Sequence, residues 1–110
     1  MKIPTATKTE LDKIVTRLVD SYRPEKILLF GSYAYGQPDA NSDLELLIIK
    51  KTSERFFDRL VNVRRIVSDP KRSIPFAPIV ITPDEVKERL AIGDPFIEDI
   101  LTKGEVLYAS

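Results

Sequence analysis

The sequence predicts an α+β fold in which helices flank a small mixed β-sheet, in a two- or three-layer α/β arrangement. Apolar residues at three-and-four spacing, the pattern of helices, alternate along the chain with short continuous apolar runs that are typical of buried strands. The 110 residues suffice for one packed core, so we expect a single domain over residues 1–110. The apolar fraction of 43% and the charged fraction of 31% are those of a globular protein.

The first part of the chain predicts a helix followed by a buried strand. The helix is expected from about Glu10 to Ser21, because its apolar residues recur at helical spacing. These residues are Leu11, Ile14, Val15, Leu18 and Val19. Thr7 and Glu10 have the spacing of a capping box, and Pro24 ends the helix. Lys26 to Phe30 then predicts a strand that is apolar on both faces, which favours a central place in the sheet.

The middle of the chain predicts a polar connection, a strand and a helix. Gly31 to Ser42 is rich in turn-forming residues and predicts a loop or a short helix. Asp43 to Ile49 predicts a second strand with alternating faces. One face carries Leu44, Leu46 and Ile48, and the other carries Asp43, Glu45, Leu47 and Ile49. A second helix is expected from about Glu54 to Ser68, with Phe56, Leu60, Val63 and Val67 as its buried stripe.

The last part of the chain predicts two strands and two short helices. Ile79 to Ile81 is expected to form the third strand. Thr82 to Glu85 combines a Thr cap, a Pro at the first helical position and a Glu at the third, which predicts a helix start. Another helix is expected from Asp94 to near Gly104, and a final strand from Glu105 to Tyr108.

Composition excludes several kinds of chemistry. The chain has no Cys and no His, which excludes disulfides, Cys/His zinc sites, thiolate nucleophiles and imidazole acid–base catalysis. Any metal must therefore be one that prefers oxygen ligands. Seventeen basic and seventeen acidic residues give zero formal net charge, which lends no support to bulk binding of nucleic acid. No apolar run approaches the length of a membrane span, and we expect a cytoplasmic protein.

One constellation points to a specific chemistry. Gly31 and Ser32 follow the first predicted strand, where a Gly lets a ligand approach the backbone and a Ser hydroxyl stands beside exposed amides. Eleven positions after Ser32, Asp43 and Glu45 project from the same face of the second strand. Two such carboxylates repel each other unless a cation lies between them. A phosphate cradle facing an acidic pair is suited to a divalent metal and a nucleoside triphosphate.

These residues give the chain its family resemblance. Gly31-Ser32, followed by Ser42-Asp43-Leu44-Glu45 and an apolar run, resembles the signature of the DNA polymerase β nucleotidyltransferase superfamily, and the length resembles its minimal nucleotidyltransferases. The resemblance implies the polymerase β-like fold and transfer of a nucleoside monophosphate, AMP from ATP, to an acceptor hydroxyl with Mg²⁺. Gly31 and Ser32 would bind the nucleotide, and Asp43 and Glu45 would be the catalytic, metal-binding carboxylates.

The resemblance also implies partners. Minimal nucleotidyltransferases often pair with a small all-helical HEPN protein as a toxin–antitoxin couple, and the acceptor hydroxyl can belong to that partner. Because a chain of 110 residues is too short for a second acceptor-binding domain, a partner chain or self-association would supply the missing wall. The alternative is a catalytically degenerate domain that binds nucleotide or neutralises its partner as an antitoxin without turnover.

Three positions depart from the family pattern, which has Asp-x-Asp and a third Asp on a later strand. The second carboxylate is Glu45 instead of Asp. Tyr35 stands where the family often has Arg, which removes a phosphate partner. Ala77 and Pro78 occupy the start of the later strand, where the third carboxylate is expected. Because no His or Cys can replace it, turnover depends on whether two carboxylates suffice.

Two further groups of residues have alternative interpretations. The basic residues of the second helix and the turn after it could meet a triphosphate or an RNA acceptor, or could simply form a solvated surface. They are Arg55, Arg59, Arg64, Arg65, Lys71 and Arg72. Tyr33 and Tyr35 could stack on a base, and they fit ordinary half-buried packing equally well.

Overall fold

A computed structural model describes residues 3–110 of the chain. Within these residues there are five helices and four strands. In chain order they are α1 (Thr5–Ser21), β1 (Lys26–Phe30), α2 (Ser32–Tyr35), β2 (Leu44–Ile49), α3 (Phe56–Ile66), β3 (Phe76–Ile81), α4 (Pro83–Ala91), α5 (Pro95–Lys103) and β4 (Glu105–Ala109). The helices and strands interleave, as the hydrophobic pattern predicts.

The four strands form one mixed sheet in the order β3-β2-β1-β4. The central strand β1 is antiparallel to both β2 and β4, whereas β2 and β3 run parallel. β1 and β2 are covered on both faces, which explains why each is a nearly continuous apolar run. The predicted mixed α+β sheet with helices on its faces is therefore confirmed.

Each face of the sheet has its own apolar core. Leu44, Leu46 and Ile48 of β2 pack with α1, α2 and α3 on one face. Leu47 and Ile49 pack with α5 on the other. The predicted alternation along β2 is confirmed, and it directs the side chain of Glu45 to the α5 face.

The predicted start of α1 was wrong. The helix begins at Thr5, one turn before the expected Glu10, and Pro4 precedes it without a side-chain cap. Thr7 and Glu10 therefore lie inside the helix, and their spacing does not form a capping box. Thr7 is buried in line with Leu11, and the Glu10 carboxylate accepts a hydrogen bond of 3.1 Å from the backbone N–H of Ser73. Tertiary packing thus uses both side chains for other contacts.

The buried stripe of α3 also differs from the prediction. Val63 and Val67 are buried as expected, but the side chain of Phe56 is 53% exposed. Arg59, which was equally consistent with a solvated helix face, is only 6% exposed. The helix therefore turns the Arg59 guanidinium toward β3 and leaves the Phe56 ring, which was predicted to be buried, at the surface.

The outer edge of the sheet at β3 is closed by α3. The carbonyls of Phe76 and Val80 point outward and accept hydrogen bonds, each of 3.3 Å, from Arg64 and Arg59. Pro78, between them, has no N–H to offer another strand. These features protect this edge from pairing with a further chain.

The carboxyl-terminal helices begin as predicted. Thr82 and Glu85 form a complete capping box at the start of α4, with hydrogen bonds of 3.1 Å and 2.8 Å. The Asp94 side chain caps α5 by accepting a 2.9 Å hydrogen bond from the backbone N–H of Phe96. Within residues 3–110, no helix combines the length and the apolar character that crossing a bilayer requires.

Candidate functional site

The four predicted site residues lie at one end of the sheet. Gly31 and Ser32 follow β1, and Asp43 precedes β2. Because β1 and β2 are antiparallel, these two ends are neighbours, and Phe30 lies directly opposite Glu45 in the register. The fold therefore places the Gly-Ser turn beside the acidic pair, as their predicted roles require.

Gly31 and Glu45 are in direct contact. A Cβ atom on residue 31 would overlap Oε2 of Glu45 and lie 2.6 Å from its Cδ. Gly31 also has a φ of 77° and a ψ of −159°, a conformation that is essentially restricted to glycine. The absent side chain thus serves two purposes, because it permits the turn after β1 and it makes room for the Glu45 carboxylate.

The loop that leads to Asp43 is fastened by its own side chains. The Asp39 carboxylate accepts a 2.8 Å hydrogen bond from the backbone N–H of Asn41. The backbone N–H of Asp39 donates to the Ser42 hydroxyl at 2.9 Å, and that of Leu44 donates to the Pro75 carbonyl at 2.8 Å. These bonds hold the chain on both sides of Asp43, and they therefore fix the backbone position from which its carboxylate projects.

The environment of Glu45 favours its neutral form. Burial raises the pKa of the Glu45 carboxyl, and the negative charge of Asp43 raises it further. Asp43 thus lies close enough to repel the second carboxylate, as expected for side chains two positions apart near the start of a strand. A cation between the two groups would relieve both penalties.

The donor set fits one Mg²⁺ ion. Mg²⁺ takes oxygen ligands, and in nucleotide-dependent proteins it is commonly held by one or two carboxylates with water and substrate phosphates completing the shell. Asp43 and Glu45 supply such carboxylates, and the Glu45 carboxylate lies directly against the turn at Gly31. The residues present therefore suit the cofactor that the sequence motif implies.

The register shows what replaces the third carboxylate. Ala77 of β3 lies directly opposite Glu45, on the same face of the sheet. A carboxylate at that position would complete a group of three, but within residues 3–110 no three acidic side chains lie together in a way that could hold a metal ion. The carboxylate that the sequence lacks at position 77 would therefore lie next to Glu45 in the candidate site.

Comparison with known proteins identifies the family. The family model described as a nucleotidyltransferase domain matches residues 11–107. The chain belongs to the nucleotidyltransferase domain family. A crystal structure of a protein from Sulfolobus solfataricus, provisionally named a nucleotidyltransferase, has 26% sequence identity and a TM-score of 0.56. The similarity covers 80% of this chain and 82% of that one. No curated protein matches the chain.

The family match includes the whole candidate site. Gly31, Ser32, Asp43 and Glu45 lie within residues 11–107, as does Ala77. The nucleotidyltransferase fold expected from the sequence is therefore confirmed, while the roles of these individual residues stay predictions.

An aromatic pair flanks the acidic side of this nucleotidyltransferase domain. The rings of Phe30 and Phe96 meet edge to face, with 5.7 Å between their centroids. Phe30 is buried beside Glu45, whereas Phe96 is 48% exposed. Of the two tyrosines considered as base-stacking residues, Tyr33 packs in the core and Tyr35 is 47% exposed. Phe96 was not recognised in the sequence, because only the fold brings α5 next to β1.

Arg59 is a structural residue of the domain. Its guanidinium contacts the Glu85 carboxylate at 2.7 Å and donates to the carbonyls of Glu54 and Val80. The hydrogen bond from Arg59 lowers the pKa of Glu85 below its ordinary value. Arg59 precedes buried Val63 by one helical turn, and this spacing could have indicated its inward orientation. The guanidinium joins α3, β3 and α4 and is not part of the acidic site.

A second polar cluster stands at the other end of the sheet. The buried Tyr22 hydroxyl donates a 2.9 Å hydrogen bond to the Glu54 carboxylate, which also accepts from Thr52 and Asn62. Burial and the bond to Glu54 raise the pKa of Tyr22. All of these polar groups are satisfied by one another, so the cluster fixes the start of α3 against α1.

Proposed function

We propose that the chain is a Mg²⁺-dependent nucleotidyltransferase that transfers AMP from ATP to an acceptor hydroxyl. The observation that carries this proposal is the acidic pair of Asp43 and Glu45 packed against the Gly-Ser turn. Family membership supports nucleotidyl transfer in general, and the donor nucleotide, the metal and the acceptor belong to the proposal.

In the proposed reaction, an oxygen of the acceptor attacks the α-phosphorus of ATP. A new P–O bond forms, the bond between the α- and β-phosphates breaks, pyrophosphate leaves and the hydroxyl proton passes to water. Asp43 and Glu45 would hold Mg²⁺, which supplies neutralisation of the phosphate charge when it is bound. Gly31 makes room for the Glu45 carboxylate in this turn, and Ser32 would offer its hydroxyl and its N–H to the triphosphate.

The acceptor is proposed to belong to a protein partner. The chain exposes several large apolar side chains: Phe56, Phe57, Ile92, Phe96 and Val106. A helical protein of the HEPN type, or a second copy of this chain, would cover such groups and form the wall of the acceptor site. This pairing rests on the family resemblance and on the exposed apolar side chains.

The second candidate is a domain that binds nucleotide or partner without transfer. Ala77 beside Glu45 favours it, because the site then lacks a third carboxylate for proton removal or metal binding. Such a domain would retain the Gly31–Glu45 contact and the acidic pair, and it would act by occupying its partner.

One experiment separates the two candidates. The chain is co-expressed with the protein encoded beside it and supplied with Mg²⁺ and ATP labelled at the α-phosphate. We expect label on the partner with the wild-type chain, none with Asp43→Asn, and full labelling with Asp58→Asn, which removes an exposed carboxylate on α3. A stable complex that carries no label and is unchanged by Asp43→Asn would instead establish the binding module.

A further inference from the structure

A surface cleft of about 370 Å³ lies at the end of β3 that adjoins the acidic pair. Val67, Pro75 and Phe76 form its apolar part, and Arg64, Asp69 and Arg72 contribute its charged groups. Phe76 lies beside Leu44 in the register, and Leu44 stands between Asp43 and Glu45 in the sequence. Phe76 and Val67 belong to the core on the α1 and α3 face, whereas Glu45 points to the α5 face, so the cleft and the acidic pair lie at the same end of the sheet but on opposite faces.

Positive charge is concentrated around this cleft although the whole chain is neutral. The backbone N–H of Lys71 donates to the Asp69 carboxylate and lowers its pKa, and the charges of Arg17, Lys13 and Arg72 lower it further. Two cationic side chains, Arg64 and Arg72, line the cleft, and Arg17 donates to the carbonyl of Ser68 in its wall. The nearby carboxylates, Asp69 and Glu10, already accept hydrogen bonds from the backbone.

The arginines are held in place before any ligand arrives. Arg64 donates to the Phe76 carbonyl at 3.3 Å, Arg17 donates to the Ser68 carbonyl at 3.0 Å, and Arg72 donates to the carbonyl of Val67. A guanidinium has five N–H donors, so each of these bonds leaves donors for a ligand. Holding the side chains in advance reduces the entropy that binding must overcome.

We propose that this cleft binds a phosphate group, carried either by the phosphodiester backbone of an oligonucleotide or by the polyphosphate of a free nucleotide. Guanidinium forks match the tetrahedral phosphate anion, and the cleft is of the size that takes a small ligand. Phosphate binding goes beyond the proposed function. The cleft lies on the face of the sheet opposite Glu45, so the proposal does not depend on that function.

The test measures binding of two probes in the absence of transfer. Sodium tripolyphosphate is titrated by calorimetry, and a fluorescein-labelled single-stranded oligoribonucleotide is titrated by fluorescence anisotropy. We expect Arg72→Gln to weaken binding about tenfold. Asp69→Asn removes the opposing charge but keeps the oxygen that accepts from Lys71, so we expect tighter binding by several-fold. Arg55→Gln, the same change at an exposed position at the start of α3, should leave binding unchanged.

The two probes identify the source of the phosphate. A strong salt dependence for the oligoribonucleotide, with a slope reduced by about 1 in Arg72→Gln, supports a phosphodiester ligand. Tighter binding of tripolyphosphate supports a free nucleotide. Thermal unfolding of each variant establishes that it is folded before its affinity is interpreted.

Several results would overturn the proposal. They are no binding of either probe, equal binding by Arg72→Gln, no gain in Asp69→Asn, and competition by polyglutamate as effective as that by tripolyphosphate. Failure of the transfer reaction would not affect these binding results. Conversely, loss of labelling in Asp43→Asn together with no binding at the cleft would retain the proposed function and reject the phosphate site.

Discussion

The carboxylate of Glu45 occupies the space that a side chain on Gly31 would need. The two residues lie on neighbouring antiparallel strands, so the contact couples the turn after β1 to the second residue of β2. Glycine is required here both for the positive φ of the backbone and for the Glu45 carboxylate. The same residue therefore determines both the turn after β1 and the space for a candidate catalytic carboxylate.

We expect Gly31→Ala to lower the free energy of unfolding by about 3 kcal/mol, because it combines backbone strain with overlap on Glu45. Gly93→Ala is the comparison, since Gly93 also has positive φ, 72°, but has open space around it. Its cost should be about 1 kcal/mol. Urea unfolding measures both.

A double-mutant cycle tests the cause of that loss. In a Glu45→Ala background the overlap is gone, so Gly31→Ala should there cost less than it does in the wild-type chain. Equal costs in the two backgrounds would mean that the Gly31–Glu45 contact has no energetic consequence.

Glu45 should make the domain less stable as the pH rises. Its folded pKa is raised above the ordinary 4.5 by burial and by Asp43, so its stabilising contribution is complete below pH 4.5 and is lost as pH rises through the folded value. We therefore expect Glu45→Gln to be the more stable protein at neutral pH and to lose that advantage in acid. Urea unfolding across this range, with Mg²⁺ absent, measures the difference. The opposite ordering would show that Asp43 and Glu45 do not repel each other.

The sequence predicted the positions of Asp43 and Glu45 on the sheet better than it predicted some of their surroundings. Asp43 and Glu45 could be placed on one face because alternation along a strand is strict, and the apolar run that follows fixes the face. The spacing of Thr7 and Glu10 led to a wrong start for α1. A capping box is a local pattern, and tertiary packing extends the helix beyond it to Thr5. Arg64 and Arg72 were recognised in the sequence as basic residues, but the cleft that they line could not be predicted, since α3 and the start of β3 meet there only in the fold.

The burial of Arg59 is a second feature that local sequence patterns did not predict. Its carboxylate partner, Glu85, lies on α4, which no periodicity connects to α3. By contrast, β1, β2 and β4 were located to within one residue, because continuous apolar segments between turn signals admit few alternative boundaries, whereas β3 begins at Phe76, three residues before the expected Ile79. Local patterns therefore predicted the helices, the strands and the acidic pair, whereas long-range contacts determine where the arginine side chains lie.

We expect Arg59→Met to lower the free energy of unfolding by about 2–3 kcal/mol, because it removes donors from Glu85 and from the carbonyl of Val80. The loss falls below that of a fully buried pair, since the Glu85 side chain is 39% exposed and can regain water. Arg89→Met breaks a pair with Asp94 in which the arginine is half exposed and in which the Asp94 carboxylate keeps its bond to the N–H of Phe96, so it should cost about 0.5 kcal/mol. Chemical denaturation of the two variants checks the ranking, which equal losses would refute.

The cap of α4 should contribute more than its short length suggests. Thr82 accepts from the backbone N–H of Glu85, and the helix has no fully buried side chain to hold it. We expect Thr82→Ala to cost about 1 kcal/mol and Thr82→Ser to cost little, because serine keeps the hydroxyl. Thr9→Ala, which removes an exposed hydroxyl bonded to the Thr5 carbonyl, is the control. Similar losses for alanine and serine at position 82 would contradict the capping role.

Placing a carboxylate at position 77 should strengthen the response of the domain to Mg²⁺. Ala77 lies beside Glu45 in the parallel register, so Ala77→Asp would add a third acidic group to the same face. Without a cation, the added repulsion should lower the melting temperature relative to the equally polar but uncharged Ala77→Asn. Bound Mg²⁺ stabilises only the folded state, so the rise in melting temperature on titration with the ion should be largest for Ala77→Asp. Identical responses of the two variants would mean that position 77 does not face the proposed metal site. The missing carboxylate beside Glu45 would then have no bearing on the proposed catalysis.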